Sequence, residues 1–262
     1  MKKKICVAVC FFVLLIACKN KNEGSDNSSS YINKLYKQVQ QSPDSVGLRM
    51  ILINSLDSSE RYNEALKEMD FLIRKDSLNY AFWYTKGSIE QKAKDTVAAI
   101  TSFTKAIKVY ASPDAMLSLA NLFAETKNEK ALLLCAEVNK MKLDRKYAAD
   151  ASFIAGVYFA RIGKTNEALT LFDDCINNSY TYMVAYLEKG FIYYDKKKYS
   201  EALKIFELAA TVSNTYADAY YWQAKCFEGL GNKKEAINNY QKALTLDKNL
   251  KEADDALKKL KQ

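Results

Sequence analysis

The sequence predicts an all-α array of stacked helical hairpins, and two observations carry that expectation. Alanines recur in an (E/A)A-aliphatic setting at Ala65, Ala99, Ala168, Ala202 and Ala236, within NEALKEM, VAAITSF, NEALTLF, SEALKIF and KEAINNY. Their spacings are 34, 69, 34 and 34, and the long gap holds one more copy, EKALLLC at Ala131, reached by steps of 32 and 37. Glycines keep the same step, 34 from Gly156 to Gly190 and 68 from Gly163 to Gly231. Self-similarity at a fixed period of this length marks a repeat architecture, in which no unit buries its apolar face alone.

The chain opens on Lys2, Lys3 and Lys4 and then runs apolar for 14 residues, from Ile5 to Cys18. A membrane-crossing helix needs roughly 20. A basic start, a short apolar stretch and small residues at its end describe a secretory leader instead. Leu15-Ile16-Ala17-Cys18 resembles the lipobox of bacterial lipoproteins. That resemblance implies a signal peptide over 1–17, cleavage before Cys18, and a diacylglycerol on its thiol with further acylation (palmitate) at the new amino terminus. Several acyl chains together anchor where a single myristoyl chain would not. Lys19 stands where some bacteria place Asp to retain a lipoprotein in the inner membrane, which points to the outer membrane and leaves the face open.

Residues 18–29 hold no apolar side chain after the cysteine, so they are expected to form a flexible tether. Its r.m.s. reach is on the order of 17–20 Å. Residues 30–45 are expected to hold a capping helix, with Tyr31, Leu35 and Val39 in step before Pro43.

From 46 to 250 the pattern resembles the tetratricopeptide repeat (TPR), a pair of antiparallel helices. The bulky first-helix position of that family falls on Trp83, Tyr186 and Tyr220, and its small eighth position on Gly87, Gly156, Gly190 and Ala224. The aromatic three residues later falls on Phe123, Phe159, Tyr193 and Phe227. The second-helix alanine is the series above, followed four residues on by Phe103, Phe172, Phe206 and Tyr240. A small residue follows again at Ala106, Ala209 and Ala243, with Cys175 substituting. The closing proline is missing from most copies; Asn214 and Lys248 stand there.

The resemblance implies a right-handed superhelix, an α-solenoid, of six repeats near 46–79, 80–112, 113–148, 149–182, 183–216 and 217–250. Residues 251–262 place Ala253, Ala256, Leu257 and Leu260 on one helical face, as a polar terminal cap requires. The third repeat is irregular. Its second helix runs into NKMKLDRKYAAD with about three extra residues, the mark of drift or of a bend.

In this family the first helices line a concave groove. Carried over by position, the groove residues are Tyr84, Asn121, Phe153, Phe191, Tyr194 and Tyr221, rimmed by Arg161, Asp195 and Lys225. Apolar clusters rimmed by charge mark partner surfaces, though an aromatic at helical spacing is as readily core. The chaperone-tail version of the fold needs Lys at position five with Asn at nine. Met50 with Asn54 and Tyr84 with Ser88 lack the lysine, which argues against that partner.

Composition removes other classes. The formal charge is +8, falling to +5 once the three leader lysines leave, and most lysines are interleaved with Glu and Asp. A nucleic-acid stripe needs clustered Lys and Arg with a reading motif. Histidine is absent, which excludes imidazole bases, His-dependent nucleophiles and imidazole metal sites. Cys135, Cys175 and Cys226 have no CxxC spacing and read as small buried apolar residues. Ser102 to Lys105 matches Ser-x-x-Lys, but inside a second helix with no companion motif. No cofactor, metal or catalysis is expected. The expectation is a lipid-anchored envelope scaffold for a protein or peptide partner; a carbohydrate-binding surface lipoprotein is the alternative.

Overall fold

The computed structural model describes residues 24–261, so the leader, Cys18 and the start of the tether lie outside the described residues. Every secondary-structure element described is an α-helix, fourteen in all. None of the described helices is long and apolar enough to cross a membrane. The chain divides into two compact units, one up to Leu72 and one from Ile73.

The first unit holds α1 (Gly24–Gln41), α2 (Val46–Ser58) and most of α3 (Tyr62–Lys75). Helix α1 starts at Gly24, inside the stretch expected to be a tether, and stops at Gln41, short of residue 45. Ile32, Leu35 and Val39 are 1%, 3% and 6% exposed and fix its buried face, while Tyr31 is turned outward. Leu35 and Val39 thus face inward as expected, and Ile32 rather than Tyr31 begins the buried face. Polar turns preceding that anchored face simply continue its helix. Between α2 and α3, Arg49 is buried, paired with Glu68, bonded to the Pro43 carbonyl at 3.1 Å and stacked 3.7 Å over the Phe71 ring.

In the second unit, hairpins form from α4 (Tyr80–Lys92) with α5 (Thr96–Val109), and α6 (Pro113–Glu125) with α7 (Lys130–Lys140). Next come α8 (Arg145–Arg161) with α9 (Thr165–Asn178), and α10 (Met183–Asp195) with α11 (Tyr199–Val212). The last hairpin is α12 (Ala217–Gly229) with α13 (Lys233–Leu246), and α14 (Lys251–Lys261) packs on α13. On α14, Ala253 is fully buried and Ala256, Leu257 and Leu260 pack beside it against Tyr240 and Ala236. Successive first helices also touch, α6 with α8 and α8 with α10.

The period has a steric cause. A Cβ placed on Gly87, Gly156 or Gly190 would come within 2.9, 2.7 and 2.3 Å of the rings of Phe103, Phe172 and Phe206. All three phenylalanines are fully buried. The small residue on the first helix is the space into which the second-helix ring fits.

Each hairpin turns by the same device. Glu60, Lys94, Lys127 and Lys197 adopt φ of 58–64°, and Gly163 and Gly231 adopt 85° and 76°. These six residues occupy one repeat position, the second residue past the end of each first helix. Around Lys197, its N–H donates to the Tyr194 carbonyl at 2.8 Å and the Lys198 N–H to the Tyr193 carbonyl at 3.0 Å. That pair of bonds is the Schellman motif, which satisfies the orphan carbonyls of a helix end. The corresponding pair recurs after all six first helices, from Glu60 and Arg61 to Gly231 and Asn232.

Between hairpins the chain turns without proline. Helices α5, α9, α11 and α13 end on Tyr110, Ser179, Ser213 and Asp247, all extended, with φ of −150°, −147°, −138° and −131°, whereas α7 ends on Met141 at φ −69°. The bulky first-helix position then secures the joint. Trp83 Nε1–H donates to the Ser77 carbonyl at 2.8 Å, Tyr186 to Tyr180 at 3.0 Å and Tyr220 to Asn214 at 3.2 Å. Each bond reaches back six residues, so an aromatic with a polar tip, Trp or Tyr, serves this position.

The irregular segment resolves simply. Helix α7 is 11 residues long, and α8 begins at Arg145 and runs for 17, taking up the extra residues as an added N-terminal turn. Asp144 caps it, accepting from the Lys146 N–H at 3.0 Å. Met116, Cys135, Val138, Phe153, Phe172 and Ile192 share one core, so packing is continuous from α6 to α10.

Candidate binding face

The first-helix face of the second unit carries three distinct arrangements. At its start, Tyr84 is half-buried, with its ring 5.7 Å from Tyr80 and 5.6 Å from Phe103. Tyr80 in turn meets the exposed Tyr110 edge-on at 5.6 Å. Asn121, on α6, is half-exposed.

In the middle, the expected groove is filled. Phe153 is 2% exposed, with its ring 5.1 Å from Tyr182 and 5.8 Å from Phe172. It belongs to the core and offers a partner nothing. The aromatic Tyr182, delivered by the next inter-hairpin loop, covers it and donates to Asp150 at 2.9 Å. Burial raises the Asp150 carboxyl above its usual range, partly opposed by that hydrogen bond.

Arg161 is likewise no free rim charge. Its guanidinium donates to both oxygens of Glu125 at 2.9 and 3.1 Å and to both oxygens of Glu188 at 3.1 and 3.2 Å. The triad ties α6, α8 and α10 together. Burial opposes the charge on Arg161, but the two carboxylates outweigh it and hold the guanidinium more firmly protonated than usual.

At the far end the aromatics converge. Phe191, Tyr194 and Tyr221 are half-buried, and all three meet Trp222, at centroid distances of 4.5, 5.3 and 5.3 Å. Phe206 stacks on the same indole at 6.0 Å, and Tyr199 meets Tyr194 at 5.3 Å. Burial pushes the Tyr194 hydroxyl up to about 12, with its polar neighbours adding to the shift. Lys225 sits 3.5 Å from Glu228, which also accepts from the Tyr240 hydroxyl. The cluster thus joins three of the expected groove residues and leaves Phe153 apart. Trp222, its centre, was missed because it falls outside both the packing and the groove positions; the run Tyr220-Tyr221-Trp222 was the available signal.

The three cysteines are buried free thiols, each pushed up to about 12, chiefly by burial. Among the described residues no group of three or more Cys, Asp or Glu is placed to hold a metal ion.

Family models described as tetratricopeptide repeat match residues 52–115, 184–216 and 217–250. No curated protein sequence matches the chain. Among solved structures, a tetratricopeptide repeat protein from Parabacteroides merdae is similar at 17% identity, covering 90% of this chain and 93% of that one, with a TM-score of 0.70. PilW, a type IV pilus biogenesis factor, is similar at 18% identity over 81% of this chain and 100% of its own, with a TM-score of 0.62. Yeast Tom70 is similar at 15% identity over 90% and 58%, with a TM-score of 0.60. At these identities the likeness is one of fold.

Proposed function

Because the chain belongs to the tetratricopeptide repeat family, we propose that it is a scaffold rather than an enzyme. It holds a protein or peptide partner on the first-helix face of its second unit. Cys18 fastens it by lipid to a bacterial envelope membrane, the outer membrane by preference. The observation that carries the binding reading is the half-buried cluster of Phe191, Tyr194, Tyr221 and Trp222, drawn from two neighbouring first helices. Tyr and Trp bring large contact area at low conformational cost, and they dominate partner surfaces. The leader and Lys19 support the anchor and its membrane. Assembly of an envelope complex follows from that placement.

Photo-crosslinking tests the face without truncating a packed ring. A benzophenone amino acid is placed at Asn121 or Lys225 on first helices, and at the exposed Leu133 or Leu208 on second helices. The expected result, in membranes of the source cell, is one adduct, identified by mass spectrometry, from the first-helix positions alone. Adducts from the second-helix positions alone would move the partner to the other face. No protein adduct, with retention on a glycan array, would bring forward the carbohydrate reading.

A further inference from the structure

We propose that the segment held at the Trp222 cluster carries a lysine or arginine, whose cationic head is received at the Tyr221 end. This rests on the scaffold reading and names the chemistry of its partner.

The ring set supplies half of the site. Tyr194 and Tyr221 both approach Trp222 edge-on, with interplanar angles of 77° and 82°, and Tyr221 also meets Tyr240 at 5.7 Å. Ring faces attract ammonium and guanidinium groups, and a partly desolvated site strengthens the attraction. The long stem of such a side chain lies well along apolar rings while its head reaches polar groups.

Charge supplies the other half. The ionisable neighbours that raise the Tyr221 hydroxyl, after burial, are Glu252, Glu228 and Asp218, carboxylates without exception. Those that raise Asp218, again after burial, are Asp247 and Glu252. Of the lysines on α12 and α13, Lys225 is spent on Glu228 at 3.5 Å and Lys242 lies 4.0 Å over the Tyr220 ring. Asp218 and Glu252 lie in the first turns of α12 and α14, where the helix dipole alone favours an acid. Glu228 does not have that excuse. It sits next to the C-terminal residue of α12, at the end where the dipole disfavours a carboxylate. Lys225 offsets it, so the negative charge left over beside Tyr221 is that of Asp218 and Glu252. A basic side chain complements that charge; an acidic one would meet like charge.

Fluorescence polarisation on the full chain, with labelled nine-residue Gly/Ser peptides bearing three arginines, three glutamates or no charge, tests this. The arginine probe is expected to bind and the other two are not, with affinity falling as salt rises. Asp218→Asn with Glu252→Gln is expected to weaken the arginine probe about fivefold to tenfold. Asp173→Asn with Glu201→Gln, the same charge change on second helices, is expected to leave it unchanged. Binding of the glutamate or neutral probe as tightly as the arginine probe would overturn the proposal. So would equal weakening by both double variants, or competition by a neutral oligosaccharide. First-helix crosslinks without arginine-probe binding would leave the scaffold reading standing and remove only this one.

Discussion

Gly190 lies so close to Phe206 that a single methyl group on it would reach within 2.3 Å of the ring. Phe206 is fully buried and also stacks on Trp222, so it has nowhere to retreat. Overpacking a filled core costs about 1–3 kcal/mol. Gly190→Ala is expected to lower the thermal midpoint, by roughly 2–4 °C per kcal/mol in a domain of this size. Gly47→Ala, where nothing lies within 4 Å of the added carbon, is the opposite case. It is expected to gain about 0.5–1 kcal/mol from helix propensity. Calorimetry on both variants reads the two signs, and a shared sign would refute the steric account.

The Arg161 triad makes a prediction about charge balance. Glu188 has a side chain 5% exposed, so Arg161→Leu strands a buried carboxylate at a cost of about 3 kcal/mol. Adding Glu188→Leu removes the stranded charge and is expected to recover most of that loss. Urea denaturation of the single and double variants decides it. A double variant as weak as the single would mean the cost lay in packing.

The turns are open to improvement. At Lys197 the backbone φ is 58°, a conformation costing a side-chain-bearing residue about 1–2 kcal/mol. Glycine relieves that strain and gives back about 0.5–1 kcal/mol in chain entropy. Lys197→Gly is therefore expected to stabilise by roughly 0.5 kcal/mol, and Gly163→Ala, at φ 85°, to destabilise. Lys94 and Lys127, at 64° and 60°, are expected to follow Lys197. Midpoints in urea at constant m-value report all four.

Asp150 predicts a pH dependence. Burial raises its folded pKa, so the folded state holds a proton that the unfolded state releases more readily. Its contribution is therefore unfavourable at neutral pH and improves as the pH falls through the folded value. Asp150→Asn, which keeps an acceptor for Tyr182, is expected to raise the midpoint at pH 7, with the gain shrinking toward pH 4. A gain that grew on acidification would reverse the assignment.

The fold was legible where one residue type answers one steric demand. The alanines from Ala65 to Ala236 and the glycines facing Phe103, Phe172 and Phe206 could be read because only a small side chain fits. The left-handed turns were legible only at Gly163 and Gly231. A lysine at the same place, as at Lys94, advertises nothing, since its conformation is imposed by the two hydrogen bonds that close the helix end. The binding face was the least legible. Phe153 and Tyr221 share a repeat position, yet one is core because Tyr182 arrives over it, and the other joins Trp222. Arg161 looked like a rim charge because its partners, Glu125 and Glu188, lie 36 and 27 residues away. Exposure on such a face depends on pairs of residues in neighbouring hairpins, and a position carried over one hairpin at a time misses the pair.

The left-handed exit after each first helix has a consequence for how such a chain grows. It closes on Arg61, Asp95, Asn128, Lys164, Lys198 and Asn232 alike, through main-chain atoms indifferent to the side chains they bear. The instruction to reverse direction is thus complete within each hairpin's own segment. A gene segment copied in tandem brings its bend with it, and lengthening the protein asks for no rewriting of the bends already present. The side chains of each hairpin are then free to differ, while the main-chain reversal stays the same.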